Sequence, residues 1–444
     1  MTSPVLWQNA DQTVALIDIP RSIEAAQGTL QQPCHDNLLS IRPLESPFPA
    51  NEPKSEKARA KVAGNTTDQQ LHEQYADILE HALAEVRYAR CGEWCLPRPF
   101  VQESMGKPRK RKVNDLAKVN DAGVQSTAPG ELTMTALRSL VDPDLQGFLG
   151  YRQPSNGNED VPTERNGVQS VRTQQSHNPS HHAIARLEVN LPAQDCSYHF
   201  RLPPLSSYFL ADCSESASFR AAVRSQAQDT GSKQSFNLIV IDPPWPNRSV
   251  KRTHKTPGSS YATISTVADV KRLVLGMDLD MLMAEKCLVA IWITNSPAVR
   301  DLVLGDNGIF ECWGIELTEE WLWLKTTSHG QPVSNIGSLW RKPYEVLLLG
   351  RKRKTCASAD SAKRESRRRV LIGVPDLHSR KPCLKELISP LMENASQYRA
   401  LEVFARHLVA GWWSWGDECL KFNWEGSWRS QADVCASKDD HLKS

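Results

Sequence analysis

The strongest constraint on this chain is a series of short, almost uninterrupted apolar runs in its second half. Tyr208-Phe209-Leu210, Phe236-Asn237-Leu238-Ile239-Val240-Ile241, residues 287–294, Trp321-Leu322-Trp323-Leu324, residues 344–349, Val370-Leu371-Ile372-Gly373 and Leu401-Glu402-Val403-Phe404 all fit this description. A strand with one face in water alternates apolar and polar residues. A run that is apolar throughout needs a sheet covered on both faces. Between the runs, apolar residues recur at helical spacing: Phe219/Ala222/Val223, Val267/Val270/Leu273/Val274 and Leu384/Leu387/Ile388/Leu391. Strands alternating with helices predict an α/β domain built on a mostly parallel sheet. No internal repeat is visible.

The first half reads differently. Residues 1–60 are rich in Pro, Gln, Ser and Asn without sustained periodicity, and are expected to be disordered or loosely attached. From about Thr66, Leu71, Tyr75, Ile78, Leu79, Ala82 and Val86 mark one face of an amphipathic helix. Leu132, Leu137, Leu140, Leu145, Phe148 and Leu149 predict further short helices, and the polar stretch 153–182 a long flexible loop. The expected organisation is a disordered 1–60, a mainly helical accessory region over 61–206, the α/β domain over 207–428 and a flexible tail over 429–444. No run of about 18 apolar residues is present, so no membrane span is expected. No secretory signal is read at the N-terminus. The 11 Cys are an odd number, scattered within apolar stretches, and read as packed thiols in a reducing compartment. Cys91 and Cys95 lack a second Cys or His pair at zinc-site spacing, so no structural metal is expected.

The feature that carries chemistry is Asp242-Pro243-Pro244-Trp245, directly after the run ending at Ile241. Parallel α/β sheets present their sites at the carboxyl ends of their strands. Two prolines fix the turn and contribute no N–H, leaving carbonyl acceptors between a carboxylate and a flat aromatic. That set suits the exocyclic amine of a nucleobase. Asp242 and the Pro243 carbonyl each accept one amino hydrogen, and Trp245 offers a stacking surface worth about 1–3 kcal/mol per base.

With the segments that follow in order, this motif resembles the MT-A family of adenine N6-methyltransferases, and most closely its methyltransferase-like protein four subfamily. The matching pieces are Pro246-Asn247-Arg248 through Lys251-Arg252, Tyr261-Ala262-Thr263-Ile264, Ile291-Trp292-Ile293-Thr294-Asn295, Trp323-Leu324-Lys325-Thr326 and Lys342-Pro343-Tyr344-Glu345. They continue with Ser379-Arg380-Lys381-Pro382, residues 401–406 and residues 411–418, so the resemblance covers roughly residues 207–424. It implies a class I, Rossmann-like methyltransferase fold that uses S-adenosylmethionine. Ile241 and Asp242 then lie beside cofactor and target amine, Lys325 neutralises the cofactor carboxylate, Glu402 and Arg406 line its entry, and Asp417 and Glu418 hold its ribose. Asp417 stands where relatives carry Asn. A glycine-rich phosphate loop is missing, in keeping with a cofactor that has no phosphate.

The whole-chain charge of +2 says nothing about partners, but its distribution does. Residues 341–385 hold fourteen Lys or Arg against four acids, which reads as a phosphate-binding surface. Arg341 and Lys342 in that segment, with Lys251, Arg252 and Lys255 after the proline corner, are the expected nucleic-acid contacts. Residues 107–112, five of six basic, read as a nuclear import signal in preference to a second nucleic-acid contact. The expected activity is methylation of adenine N6 in nucleic acid by a chain active as a monomer. The substrate the resemblance favours is RNA, at an internal 2′-O-methyladenosine of a spliceosomal small nuclear RNA. DNA adenine methylation and a catalytically inactive RNA-binding partner are the alternatives.

Overall fold

The computed structural model describes residues 3–29, 31–49, 55–56, 68–101, 148–152, 174–191, 196–246, 266–339, 341–352, 366–377 and 380–430. From the N-terminus the chain forms β1 (Val5–Gln8), β2 (Val14–Ile17), α1 (Ile19–Ala25), β3 (Asn37–Leu38), α2 (Gln69–Ala89), β4 (Phe148–Arg152), β5 (Gln175–His177), β6 (Ala185–Leu191) and β7 (Cys196–Leu202). It continues with β8 (Ser207–Phe209), α3 (Ser216–Thr230), β9 (Phe236–Ile241), α4 (Val267–Gly276), β10 (Met283–Ile293), α5 (Pro297–Leu304), α6 (Ile309–Cys312), β11 (Ile315–Lys325) and β12 (Tyr344–Lys352). The last elements are β13 (Arg367–Gly373), α7 (Lys385–Ile388), β14 (Ala400–Val403), β15 (Trp412–Trp415) and β16 (Trp428–Arg429).

Eleven strands form one sheet in the order β1-β2-β13-β11-β12-β10-β9-β14-β15-β8-β5. The block β10-β9-β14-β15-β8 is parallel throughout. The antiparallel β12 lies between β10 and β11. Successive residues of a strand point to opposite faces, and β9 shows why its run is apolar throughout. Ile239 and Ile241 pack on one side with Phe219, Val270, Val299, Tyr75 and Leu79, from helices α3, α4, α5 and α2. Leu238 and Val240 pack on the other with Ile19 and Ile23 of α1, Leu384, Ile388 and Trp412. The expected α/β fold with a mostly parallel sheet is therefore present, and the carboxyl ends of β9, β14 and β15 meet at one edge.

The first thirty residues depart from the expectation of a loose N-terminus. All four residues of β2 are buried, and the strand pairs in parallel with β13 while β1 pairs antiparallel with β2. The reason is tertiary: a four-residue run is too short to show a period, and its partner lies more than 350 positions away. Helix α1 starts with Asp18 capping the Arg21 N–H at 2.9 Å and with Pro20 in its first turn.

Among its described residues the accessory region carries both helix and strand. Helix α2 is the amphipathic helix expected, capped by Asp68 and burying Tyr75, Leu79, Ala82, Leu83 and Val86. Around it the described residues before Ser207 include several strands, among them the antiparallel sheet β4-β6-β7. Phe148 and Leu149 belong to β4, not to a helix. The end of the expected 153–182 loop is ordered: β5 pairs with β8, and buried Asn178 donates to the carbonyls of Ala183 and Leu202, both at 2.8 Å. Residues 107–112, the helices expected over 132–145, residues 153–173, Lys251, Arg252 and Lys255, and the tail beyond residue 430 lie outside the described residues. No helix among the described residues is long and apolar enough to cross a membrane.

Candidate active site

Strand β9 delivers Asp242 to the carboxyl edge of the sheet, where it lines a cleft with Trp292, Lys381, Glu402, Phe404, Arg406 and His407. The cleft is narrow and open to solvent. The Asp242 carboxylate faces this space, its side chain 24% exposed. Lys381 Nζ sits 3.1 and 3.2 Å from its two oxygens. The same ammonium lies 2.9 Å from Glu345 Oε2, and Lys325 pairs with the other Glu345 oxygen. Two lysines and two carboxylates thus alternate along the edge of β9, β12 and β11. Burial pushes Glu345 up, but Lys325 and Lys381 override it and hold the carboxyl well below its ordinary range. Burial likewise disfavours the Lys381 ammonium, and Asp242 and Glu345 outweigh it, so Lys381 is firmly cationic.

The other wall comes from β14 and β15. Glu402 is half-buried at the end of β14, and burial together with the nearby Asp242 charge raises its carboxyl to about 8, so it is mostly protonated at neutral pH. Phe404, just beyond the strand, has φ +57°, a left-handed conformation uncommon for a bulky residue. Gly416 ends β15 at φ +155°, and a Cβ there would stand 3.2 Å from the Ala405 nitrogen and 3.3 Å from Phe404 Cα. The two strand ends therefore pass closely, with Gly416 in a backbone conformation that L side chains rarely adopt, and a strained turn fills the place of a glycine-rich loop. Arg406 Nε pairs with Glu418 at 3.0 Å. His407 is buried, and its Nε2 has no hydrogen-bond partner among the described residues. Burial, aided by Arg380, lowers its imidazole to about 4.

The proline corner behaves differently from its sequence reading in two respects. The Pro243 carbonyl accepts the Trp245 N–H at 2.7 Å, closing a three-residue turn and leaving one lone pair. Trp245 is 9% exposed, packs in the core, and donates its indole N–H to the Trp292 carbonyl at 2.7 Å. Its ring anchors the corner to β10 and is not a stacking surface. A large amphipathic side chain with a nearby acceptor gains more by burial than by exposure.

Lys325 reaches Asp242 only through Glu345 and Lys381. Its ammonium is committed to Glu345 and rests 4.7 Å over the Trp323 ring, whereas Lys381 touches Asp242. Lys381 and Glu345 both lie in the short segments that signalled the family resemblance, but nothing in a lone Lys or Glu marked them as partners of the catalytic corner. Several described residues of the basic segment are consumed inside the fold. Arg368 pairs with Glu320, Arg369 with Glu319 in a bidentate fork, and Arg380 with Asp376. Lys385 donates to the Ala410 carbonyl at 2.6 Å. Arg341 remains exposed, and burial lowers Lys342 to about 8. Asp417 and Glu418 follow Gly416 at the rim, next to Arg406.

The loop carrying Lys381 is braced by the N-terminal segment. Ser22 Oγ of α1 accepts the Cys383 N–H at 2.9 Å. Beneath the 407–412 turn, Gln27 donates to the Leu408 carbonyl and accepts from Asn423, both at 2.8 Å. Breaking a buried polar pair of this kind costs about 1–3 kcal/mol, so the segment expected to be loose sets the geometry of the site.

Comparison with known proteins places these observations in a family. The model of the MT-A70 family matches residues 236–418, from the start of β9 to Glu418. The chain is 30% identical to the "N6-methyladenosine RNA methyltransferase MTA1" of Pyricularia oryzae, an alignment covering 96% of this chain and 97% of the relative. It is 30% identical to the "N(6)-adenine-specific methyltransferase METTL4" of Mus musculus over 72% of this chain and 71% of that protein. A "DNA N6-methyl methyltransferase" of Caenorhabditis elegans is 29% identical over 49% of this chain and 53% of its own length.

Proposed function

The chain belongs to the MT-A70 family and is an S-adenosylmethionine-dependent adenine N6-methyltransferase acting on nucleic acid, and from that premise we propose that its substrate is RNA and that the Asp242 cleft holds the reacting groups. The observation that carries the site is the convergence of Asp242, Lys381 and Glu402 on one cleft at adjoining strand ends. The donor set fits the cofactor. Lys381 offers a cation to a carboxylate, Glu402 an acid that ionises beside positive charge, and His407 Nε2 an unmet hydrogen-bonding atom. Arg406, Asp417 and Glu418, beyond the ends of β14 and β15, would hold a ribose diol, whereas the Ile241 side chain is buried in the core and does not line the cleft.

The cofactor supplies an electrophilic methyl group on a sulfonium. The protein's part is placement and electrostatics. Asp242 accepts a hydrogen of the target amine, and the free lone pair of the Pro243 carbonyl accepts the other, aligning the nitrogen for in-line attack. Pre-organisation of this kind accounts for as much as about 7–11 kcal/mol of barrier reduction in well-oriented systems. Lys381 would pair with the carboxylate of the bound cofactor, and Asp242 would stabilise the positive charge that develops on the amine. The proton then leaves through Asp242 or to solvent.

RNA is favoured because the relative aligned over nearly its whole length is named as an RNA methyltransferase, whereas the relative named for DNA aligns over about half. Within RNA, the sequence resemblance favours an internal 2′-O-methyladenosine of a small nuclear RNA, acted on in the nucleus by a monomer with residues 107–112 as import signal. Either polymer must present the base in a single strand or as a flipped-out nucleotide, since the amine is paired within a duplex. Matched RNA and DNA oligonucleotides, with and without 2′-O-methylation of the target, test the proposal. The RNA should be methylated at least tenfold faster, and the 2′-O-methylated strand fastest. Equal rates on DNA would overturn the assignment.

A further inference from the structure

Residues 38–48 run as a strap along the carboxyl edge of the sheet, beside the cleft. Leu39 N–H donates to the Ser427 carbonyl at 2.8 Å, and the Leu39 carbonyl accepts from Arg380 at 3.0 Å. Ile41 N–H donates to Asp376 Oδ1 at 3.0 Å, beyond the end of β13. Farther along, the Leu44 carbonyl accepts the Ser328 N–H and Phe48 N–H donates to the Val333 carbonyl, each at 2.9 Å, past the end of β11. Arg380 precedes Lys381 in the chain, so the strap is anchored one residue from the cation that holds Asp242. Pro43, Pro47 and Pro49 remove N–H groups and keep it extended without offering an open edge for strand pairing.

Its outer surface carries two guanidinium–aromatic pairs. Arg42 lies 5.1 Å over the Phe100 ring, and Arg341 lies 4.9 Å over the Phe48 ring. Both arginines are exposed, and among the described residues neither makes an ion pair. Ile41, Phe100 and Val101, at 37%, 37% and 40% exposure, form an apolar floor held together by the Ser40–Phe100 bridge. Arg368, Arg369 and Arg380 are ion-paired within the fold, whereas the guanidiniums of Arg42 and Arg341 rest on aromatic rings. Stacked, unpaired arginines beside apolar surface are the chemistry of a single-strand platform, where bases stack and phosphates are neutralised.

We propose that the strap surface formed by Arg42, Phe100, Phe48 and Arg341 binds the nucleotides flanking the target adenine, on the same strand whose base enters the Asp242 cleft. The inference rests on the methyltransferase reading of the cleft and extends it to how the polymer is held. It assigns the N-terminal segment a substrate-binding role in addition to its bracing role.

The test uses the full-length chain, its Arg42→Glu and Arg42→Lys variants, and RNA oligonucleotides graded from the shortest that is methylated upward. Cofactor binding is followed by calorimetry, strand binding by fluorescence anisotropy across salt concentrations, and methyl transfer by kcat/KM. Arg42→Glu should lower strand affinity and kcat/KM on long RNA by roughly tenfold, the scale of one lost stacking and phosphate contact, and reduce the salt slope by about one. Arg42→Lys should recover the salt slope and part of the affinity. Cofactor affinity and kcat/KM on the shortest substrate should not change. If Arg42→Glu matches the parent on long RNA, or loses equally on short and long, the platform assignment is wrong while the reading of the cleft stands. If long RNA binding depends on Arg42 but no strand is methylated by the parent, the platform is supported and the proposed reaction fails.

Discussion

Glu402 gives the cleft a measurable electrostatic signature. Its carboxyl is raised from 4.5 to about 8 by burial and by the neighbouring Asp242 charge, with Arg406 opposing. The folded protein therefore keeps a proton that the unfolded chain has already released at neutral pH. Stability from this group is fully present below pH 4.5 and is lost as pH rises towards 8. A tenfold change in a protonation equilibrium corresponds to about 1.4 kcal/mol, so holding the carboxyl in the fold costs about 3 kcal/mol at pH 7. Between pH 6.5 and 8 the parent should lose roughly 1.5 kcal/mol that Glu402→Gln keeps. The other perturbed groups of the site titrate outside this window. His407, lowered to about 4, costs stability only as pH falls below 6.5, and Lys342, lowered to about 8, changes stability mainly above pH 8. Denaturant midpoints at half-unit pH steps, without cofactor, read the difference. The parent curve should fall while the amide variant stays flat and lies above it. Parallel curves would refute a protonated Glu402 in the cleft. With cofactor present, positive charge beside Glu402 should favour its ionised form, so parent affinity should tighten as pH rises and the variant's should not.

Two further outcomes follow from the geometry. Lys381→Met should weaken cofactor binding by about tenfold or more in calorimetry, since it removes the cation at Asp242, whereas Lys325→Met should cost less; the reverse order would restore the sequence-based assignment. Leu16→Ala, at a fully buried position of β2, should destabilise the fold by about 2–5 kcal/mol in chemical denaturation, and no loss would contradict an N-terminal segment integral to the sheet.

How much of this was legible from sequence depended on the range of the interactions involved. Runs such as residues 236–241 reveal a doubly covered strand because both faces are written into consecutive residues. The corner that follows is legible for the same reason, since Pro243 and Pro244 act on their own backbone. Val14–Ile17 was illegible because four residues carry no period and their partner β13 is remote in sequence. Arg368 and Arg369 looked like phosphate ligands, and the Glu319 and Glu320 side chains that occupy them lie about fifty residues earlier. Trp245 was recognised as part of the motif, but its direction was set by a carbonyl on β10. Lys381 illustrates the same limit: its residue type suited several roles, and only the fold brought it between Asp242 and Glu345.

The central claim is that the Asp242 carboxylate is the acceptor that presents the target amine to the methyl group. It is tested most directly by single-turnover methyl transfer with Asp242→Asn, at saturating S-adenosylmethionine and single-stranded RNA, with strand binding measured in parallel. The account predicts a rate reduced by about 10²–10³-fold, with RNA affinity within a few-fold of the parent. Methyl transfer by the asparagine variant at the parent's rate would contradict it.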